Sequence, residues 1–153
     1  MAMMNEFGKD IFTEVRMTFE KASLPFDVSG VAAFGSRVKG TATPDADFDV
    51  LIVASGINPK RHRRTNEIVQ IKHCLSPLLL DILLLTPEEV ISNFKNHNPL
   101  FLDIAEEGVV LLDKNGFLKG LINEVREYIT IKGIKRLGDG WKFPVKHGVA
   151  TYL

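Results

Sequence analysis

Leu78 to Leu85 reads LLLDILLL, an unbroken apolar run with one aspartate, Asp81, set inside it. It falls far short of the ~20 residues that a helix needs to span a bilayer. Ser76-Pro77 stands before it and Thr86-Pro87 after it. A short, continuous apolar run between such breaks is the pattern of a strand with both faces covered. The expectation is therefore a buried strand over 78–85, central in its sheet, with a carboxylate embedded in it.

The neighbouring segments fit that picture. Phe7, Ile11, Val15, Phe19 and Ala22 fall at three- and four-residue spacing, which predicts an amphipathic helix over about Asn5 to Ser23. Val28 to Phe34 reads as a strand running into a Gly35-Ser36 turn, and a second strand starts at Asp47. In that second strand Asp47, Asp49, Leu51 and Val53 share one face, with Phe48, Val50 and Ile52 on the other. A helix is expected over Thr65 to Cys74. Another starts at Thr86, where a threonine cap precedes a proline and two acids. A further helix runs from Pro99 to Gly108, then a strand over Val109 to Leu112, then a helix from Phe117 to about Ile131. Strands alternating with helices define an α/β architecture.

With 153 residues, the chain has the length of one domain. Nineteen basic and nineteen acidic residues give a formal net charge of zero. A long non-specific nucleic-acid footprint normally needs a basic excess, so nucleic acid is not the expected partner, although it is not excluded. Cys74 is the single cysteine, which rules out an internal disulfide and suits a reducing compartment. It reads as a small buried hydrophobe. With no signal-peptide pattern and no membrane-length apolar run, the expectation is a cytoplasmic protein away from membranes.

Three carboxylates require a reason. Asp47 and Asp49 alternate in an apolar strand, and Asp81 interrupts another. Burying ionised groups is costly unless they are paired or bound to metal, and three together repel. A divalent cation relieves both costs, and oxygen ligands favour Mg²⁺ first and Mn²⁺ second. The bland alternative is that Asp47 and Asp49 sit at a solvated strand mouth while Asp81 pairs with a helix end or an arginine. Gly35-Ser36 supplies backbone amides and a hydroxyl suited to a phosphate, although the pair alone is common in turns.

The spacing adds more. Gly35-Ser36, ten intervening residues, and Asp47-Phe48-Asp49 resemble the signature of the polymerase-β-like nucleotidyltransferase superfamily. The stretch FGSRVKGTATPDADFDVLIV is similar to the minimal nucleotidyltransferases, including Arg37, Gly40, Thr41 and the Pro44-Asp45 turn. LLLDILLL stands where the family has its third acidic strand, and FLDIAEEGVVLLD resembles the segment that follows. The likeness covers about residues 28–113. It implies a mixed sheet of about four strands flanked by helices, in a nucleotidyltransferase domain over 1–132. Residues 133–153 would be a tail packed on the domain or on a partner. It further implies that Asp47, Asp49 and Asp81 are the catalytic, metal-holding acids for two Mg²⁺ ions. Asp81 could also act as general base. Gly35 and Ser36 would bind phosphate, with Arg37 and Lys39 as further candidates.

The activity implied is transfer of a nucleoside monophosphate, AMP from ATP, to a hydroxyl acceptor. Minimal members of the family accompany HEPN-type helical partners in toxin–antitoxin modules, so the acceptor implied lies on such a partner. A homo-oligomer stays open. The competing readings are a non-catalytic partner-binding module on a degenerate fold, and an enzyme adding nucleotides to RNA. Asp45 reads as a turn residue. Lys60-Arg61-His62-Arg63-Arg64 reads as a solvated basic loop, or as a grip for a phosphate or an acidic surface. His62, His73 and His97 lack metal-ligand spacing. Trp141, among basic residues with Phe143, either packs back on the core or stacks on a base or partner.

Overall fold

The computed structural model describes residues 11–35, 38, 47–138 and 140–144. In chain order these form α1 (Ile11–Lys21), β1 (Asp27–Phe34), β2 (Phe48–Ser55), a 3₁₀ turn (Arg61–Arg63), α2 (Thr65–Leu75), β3 (Leu80–Leu85), α3 (Pro87–Lys95) and α4 (Pro99–Glu107). Then follow β4 (Val109–Asp113), a second 3₁₀ turn (Lys114–Gly116), α5 (Phe117–Lys132), β5 (Lys135–Leu137) and β6 (Gly140–Lys142). Among the described residues the first helix runs to Lys21, and the first positions of the expected pattern lie outside them.

Four strands make one mixed sheet in the order β3-β2-β1-β4. β1 pairs antiparallel with both β2 and β4, and β2 pairs parallel with β3. A parallel pair cannot be closed by a tight turn, so the chain crosses over through α2. The alternation read in β2 holds. Leu51 and Val53 enter one core layer, while Phe48, Val50, Ile52 and Ala54 enter the other. The first layer is covered by Val90 and Phe94 of α3, Phe101, Leu102 and Ile104 of α4, and Leu118, Ile122 and Val125 of α5. Val15 and Phe19 of α1 with Ile71 and Leu75 of α2 cover the second.

The position of LLLDILLL corrects an expectation. β3 lies at an edge of the sheet, not at its centre, and Asp81 is exposed. Leu84 joins one layer and Leu85 the other, so both faces are indeed covered. Continuous hydrophobicity reports whether the faces are covered and carries no information on how many neighbours pair with the strand.

Other local readings meet the structure directly. Thr86 caps α3 through a reciprocal pair in which the Glu89 amide donates to the Thr86 hydroxyl and the Thr86 amide donates to the Glu89 carboxylate. Cys74 is exposed, against expectation, because Ile71 and Leu75 take the buried stripe of α2 and turn it outward. The segment after α5 forms a small hairpin of β5 and β6, which the sequence pattern did not suggest. Trp141 is buried in the first layer, and its indole donates to Asp103 at 2.9 Å. Arg136 lies over the Trp141 ring, 4.7 Å from its centre, and pairs with Asp103 at 2.7 Å. No helix among the described residues is long and apolar enough to cross a membrane.

Candidate active site

The sheet brings one end of β1 together with the starts of β2 and β3. Phe34 is the register partner of Asp49, and Asp49 is the register partner of Asp81 in the parallel pair. Register partners on neighbouring strands present their side chains on one face, with backbones about 4.8 Å apart. A hydrogen bond from the Phe48 amide to the Leu79 carbonyl, 2.9 Å, ties the two strands together just ahead of the acids. Asp47 precedes β2 and is exposed, as is Asp81, while Asp49 is half-buried.

The electrostatics follow from that placement. Asp49 is held above the ordinary carboxylate range, first by burial, then by the charge of Asp81, a hydrogen bond with Asp81, and the charge of Asp47. The three aspartates that the sequence singled out therefore act on one another, with Asp49 at the centre. Among the described residues no set of three His, Cys, Asp or Glu side chains stands ready to hold an ion by itself. The donor chemistry nevertheless suits Mg²⁺. That ion keeps several waters and takes one or two carboxylates together with substrate phosphates, where Ca²⁺ or Zn²⁺ would use more protein ligands. A carboxylate held up by its acidic neighbours is one that a cation relieves.

Gly35 follows β1 directly and adopts φ +81°. A side chain there would be built into the Asp49 carboxylate. Both the backbone conformation and the space thus require glycine, and the requirement comes from a catalytic candidate on the next strand. The Val38 amide donates to the Gly35 carbonyl at 3.1 Å. Ser36, Arg37 and Lys39, the other phosphate-binding candidates, lie outside the described residues, as do Gly40, Thr41, Pro44 and Asp45. Replacing Gly35 by Ala should cost roughly 1–3 kcal/mol through left-handed strain and displacement of Asp49. Urea unfolding measures it, and an unchanged midpoint would contradict the close approach.

The basic run stands elsewhere. It follows β2, whereas Asp49 lies at the start of that strand, so the six-residue rise puts the two ends of β2 about 20 Å apart. It cannot grip a triphosphate held by Asp49. Arg64, moreover, is not part of a solvated loop. It is buried to 1% exposure and donates to the carbonyls of Asn58 at 2.8 Å and Leu84 at 3.1 Å and to Glu89 at 2.6 Å. Isolated in sequence, an arginine in a basic run carries no mark of burial. The only available hint was Glu89 in the first turn of α3, which offered a partner at long range.

The α/β domain thus sets Asp49 and Asp81 side by side at the starts of two parallel strands, next to Gly35. The chain matches the Nucleotidyltransferase domain family over residues 15–131, and it belongs to that family. It is thus a nucleotidyltransferase. A protein from Methanocaldococcus jannaschii named "Putative protein adenylyltransferase MJ1305" is 24% identical over 106 residues, spanning 67% of this chain and 71% of that one. A solved toxin–antitoxin structure with AMP-PNP aligns at 13% identity and a TM-score of 0.43, covering 80% of this chain and 92% of that chain.

Proposed function

We propose that this nucleotidyltransferase moves AMP from ATP to a hydroxyl on a protein, with a HEPN-type helical partner as the acceptor. The observation that carries the reading is the register of Asp49 beside Asp81, with the charge of Asp47, two residues earlier, also acting on Asp49. In this reading Asp47 and Asp49 would hold Mg²⁺, Asp81 would complete the set, and Gly35 and Ser36 would receive phosphate. The acceptor oxygen bonds to the α-phosphorus as its bond to the bridging oxygen breaks and pyrophosphate departs. Asp81, exposed at the strand start, takes the hydroxyl proton. Bound divalent ions would neutralise charge on the entering and leaving oxygens. Positioning supplies much of the remainder. The name of the archaeal relative supports a protein acceptor.

The test is incubation of the protein with a candidate partner and either α-labelled or γ-labelled ATP, with Mg²⁺ or with chelator. Label reaching protein from the α position alone, and only with metal, is the expected result. Label from the γ position would mean phosphoryl transfer and would sink the proposal. Label incorporated into RNA and not into protein would favour the RNA-modifying reading.

A further inference from the structure

At the end of the sheet opposite the carboxylates, Lys60, Arg61, His62 and Arg63 are all exposed on a 3₁₀ turn. Among the described residues the cations Lys60, Arg61 and Arg63 form no ion pair, and no acid stands in the first turn of that element. Adjacent unpaired cations repel, so a chain keeps them at some cost in stability. The turn that carries them is nevertheless firmly built. Asn58 accepts from the Lys60 amide at 2.9 Å, donates from its own amide to Glu67 at 3.1 Å, and accepts from buried Arg64. The Arg63 amide donates to the Lys60 carbonyl at 2.9 Å. The cations are thus presented on a preorganised support.

The surface continues beyond them. Helix α2 starts immediately after the turn, and Asn66, Val69, Gln70 and His73 form one exposed stripe along it, about 10 Å long. Val69 is 57% exposed, high for a large apolar side chain. It lines a mostly apolar hollow of about 320 Å³ together with Leu24, Pro25, Gln70 and His73. A nucleic acid would be served by more cations or by aromatic stacking platforms along such a track, and this stripe has neither. A cationic head leading into an apolar hollow fits a protein.

We propose that the 60–63 turn and the outer stripe of α2 form a docking surface for a protein partner. The partner segment it fits is an amphipathic helix carrying an acidic cluster beside large apolar side chains. Acidic residues would answer the unpaired cations, and apolar anchors would fill the hollow beside Val69. This surface lies on the far end of the sheet from the transfer site, so a docked partner leaves that site open. It stands independently of the transfer chemistry proposed above.

The probe is a fluorescein-labelled amphipathic peptide of about 15 residues, long enough to form a helix once docked, with glutamates at one end and a leucine stripe. Controls replace its glutamates with glutamine or its leucines with serine, and a labelled single-stranded RNA of similar length runs in parallel. Anisotropy should show the first peptide binding best, with affinity falling as salt is raised. Arg61→Glu with Arg63→Glu should weaken it about tenfold or more, and so should Val69→Asp. Both variants change exposed positions, and their melting curves check that they fold. Peptide binding that ignores both variants, or no binding at all, overturns the proposal. RNA binding tighter than peptide binding and lost on reversal of the arginine charges also overturns it, in favour of nucleic acid.

Discussion

Asp49→Asn should lower the rate of nucleotidyl transfer by about a thousandfold or more, equivalent to roughly 4 kcal/mol of transition-state stabilisation. The substitution keeps the shape of the side chain and removes its charge at the point where Asp47 and Asp81 both act on it. A neutral amide cannot compensate a divalent ion, so Asp47 and Asp81 would have to hold what the three acids hold together. Stability should move the other way. Because burial and acidic neighbours raise Asp49 in the fold, its ionised form is a penalty at neutral pH. The metal-free variant should melt at or slightly above the native protein, while the melting shift brought by ATP and Mg²⁺ disappears. Steady-state kinetics and melting curves with and without chelator measure both. Activity within about tenfold of the native enzyme would remove Asp49 from the machinery.

Arg64→Ala should be the most damaging single change to the fold. Arg64 joins the loop after β2, the end of β3 and the start of α3 by donating to Asn58, Leu84 and Glu89. Truncation takes this donor from three carbonyls, of Asn58, Pro59 and Leu84, and from the Glu89 carboxylate, and opens a cavity in their midst. The lost hydrogen bonds and the cavity together cost about 2–5 kcal/mol, a large share of the 5–15 kcal/mol typical of a whole domain. The expected fall in Tm is roughly 10 °C or more. Acid sensitivity should change too. Burial pushes Glu89 up, but the hydrogen bond from Arg64, bonds with Thr86 and the Arg64 charge outweigh it and hold Glu89 below its usual 4.5. A depressed carboxylate stabilises the fold above its unfolded pKa, and that stability is lost as pH falls through the folded one. The native protein should lose this contribution below about pH 4.5, whereas the variant has little of it to lose. Melting curves from pH 3 to 7 are the measurement (about half-unit steps resolve a single carboxylate).

Much of the candidate site was legible because several of its parts are short-range. Asp47 and Asp49 declare their common location by period-two spacing within β2, and Gly35-Ser36 by following β1. Asp81 could be recognised since an aspartate inside an apolar octet needs a reason. What could not be read was the register that sets Asp81 beside Asp49, since pairing between strands 32 residues apart leaves no local trace. The clash that requires glycine at 35 is of the same kind, because the obstacle belongs to another strand.

Helix and strand types, the two-faced alternation of β2 and the reciprocal cap at Thr86 and Glu89 were determined by the sequence alone. Each depends on residues within a few positions of one another, where backbone geometry and side-chain periodicity leave little choice. The order of strands, with β3 at an edge, was decided only in three dimensions, as were the β5–β6 hairpin held by Trp141 and Asp103, the burial of Arg64 and the exposure of Cys74. A charged or polar side chain is buried or exposed according to the partners that a fold brings to it. Those partners come from distant parts of the chain, and only the assembled core selects them.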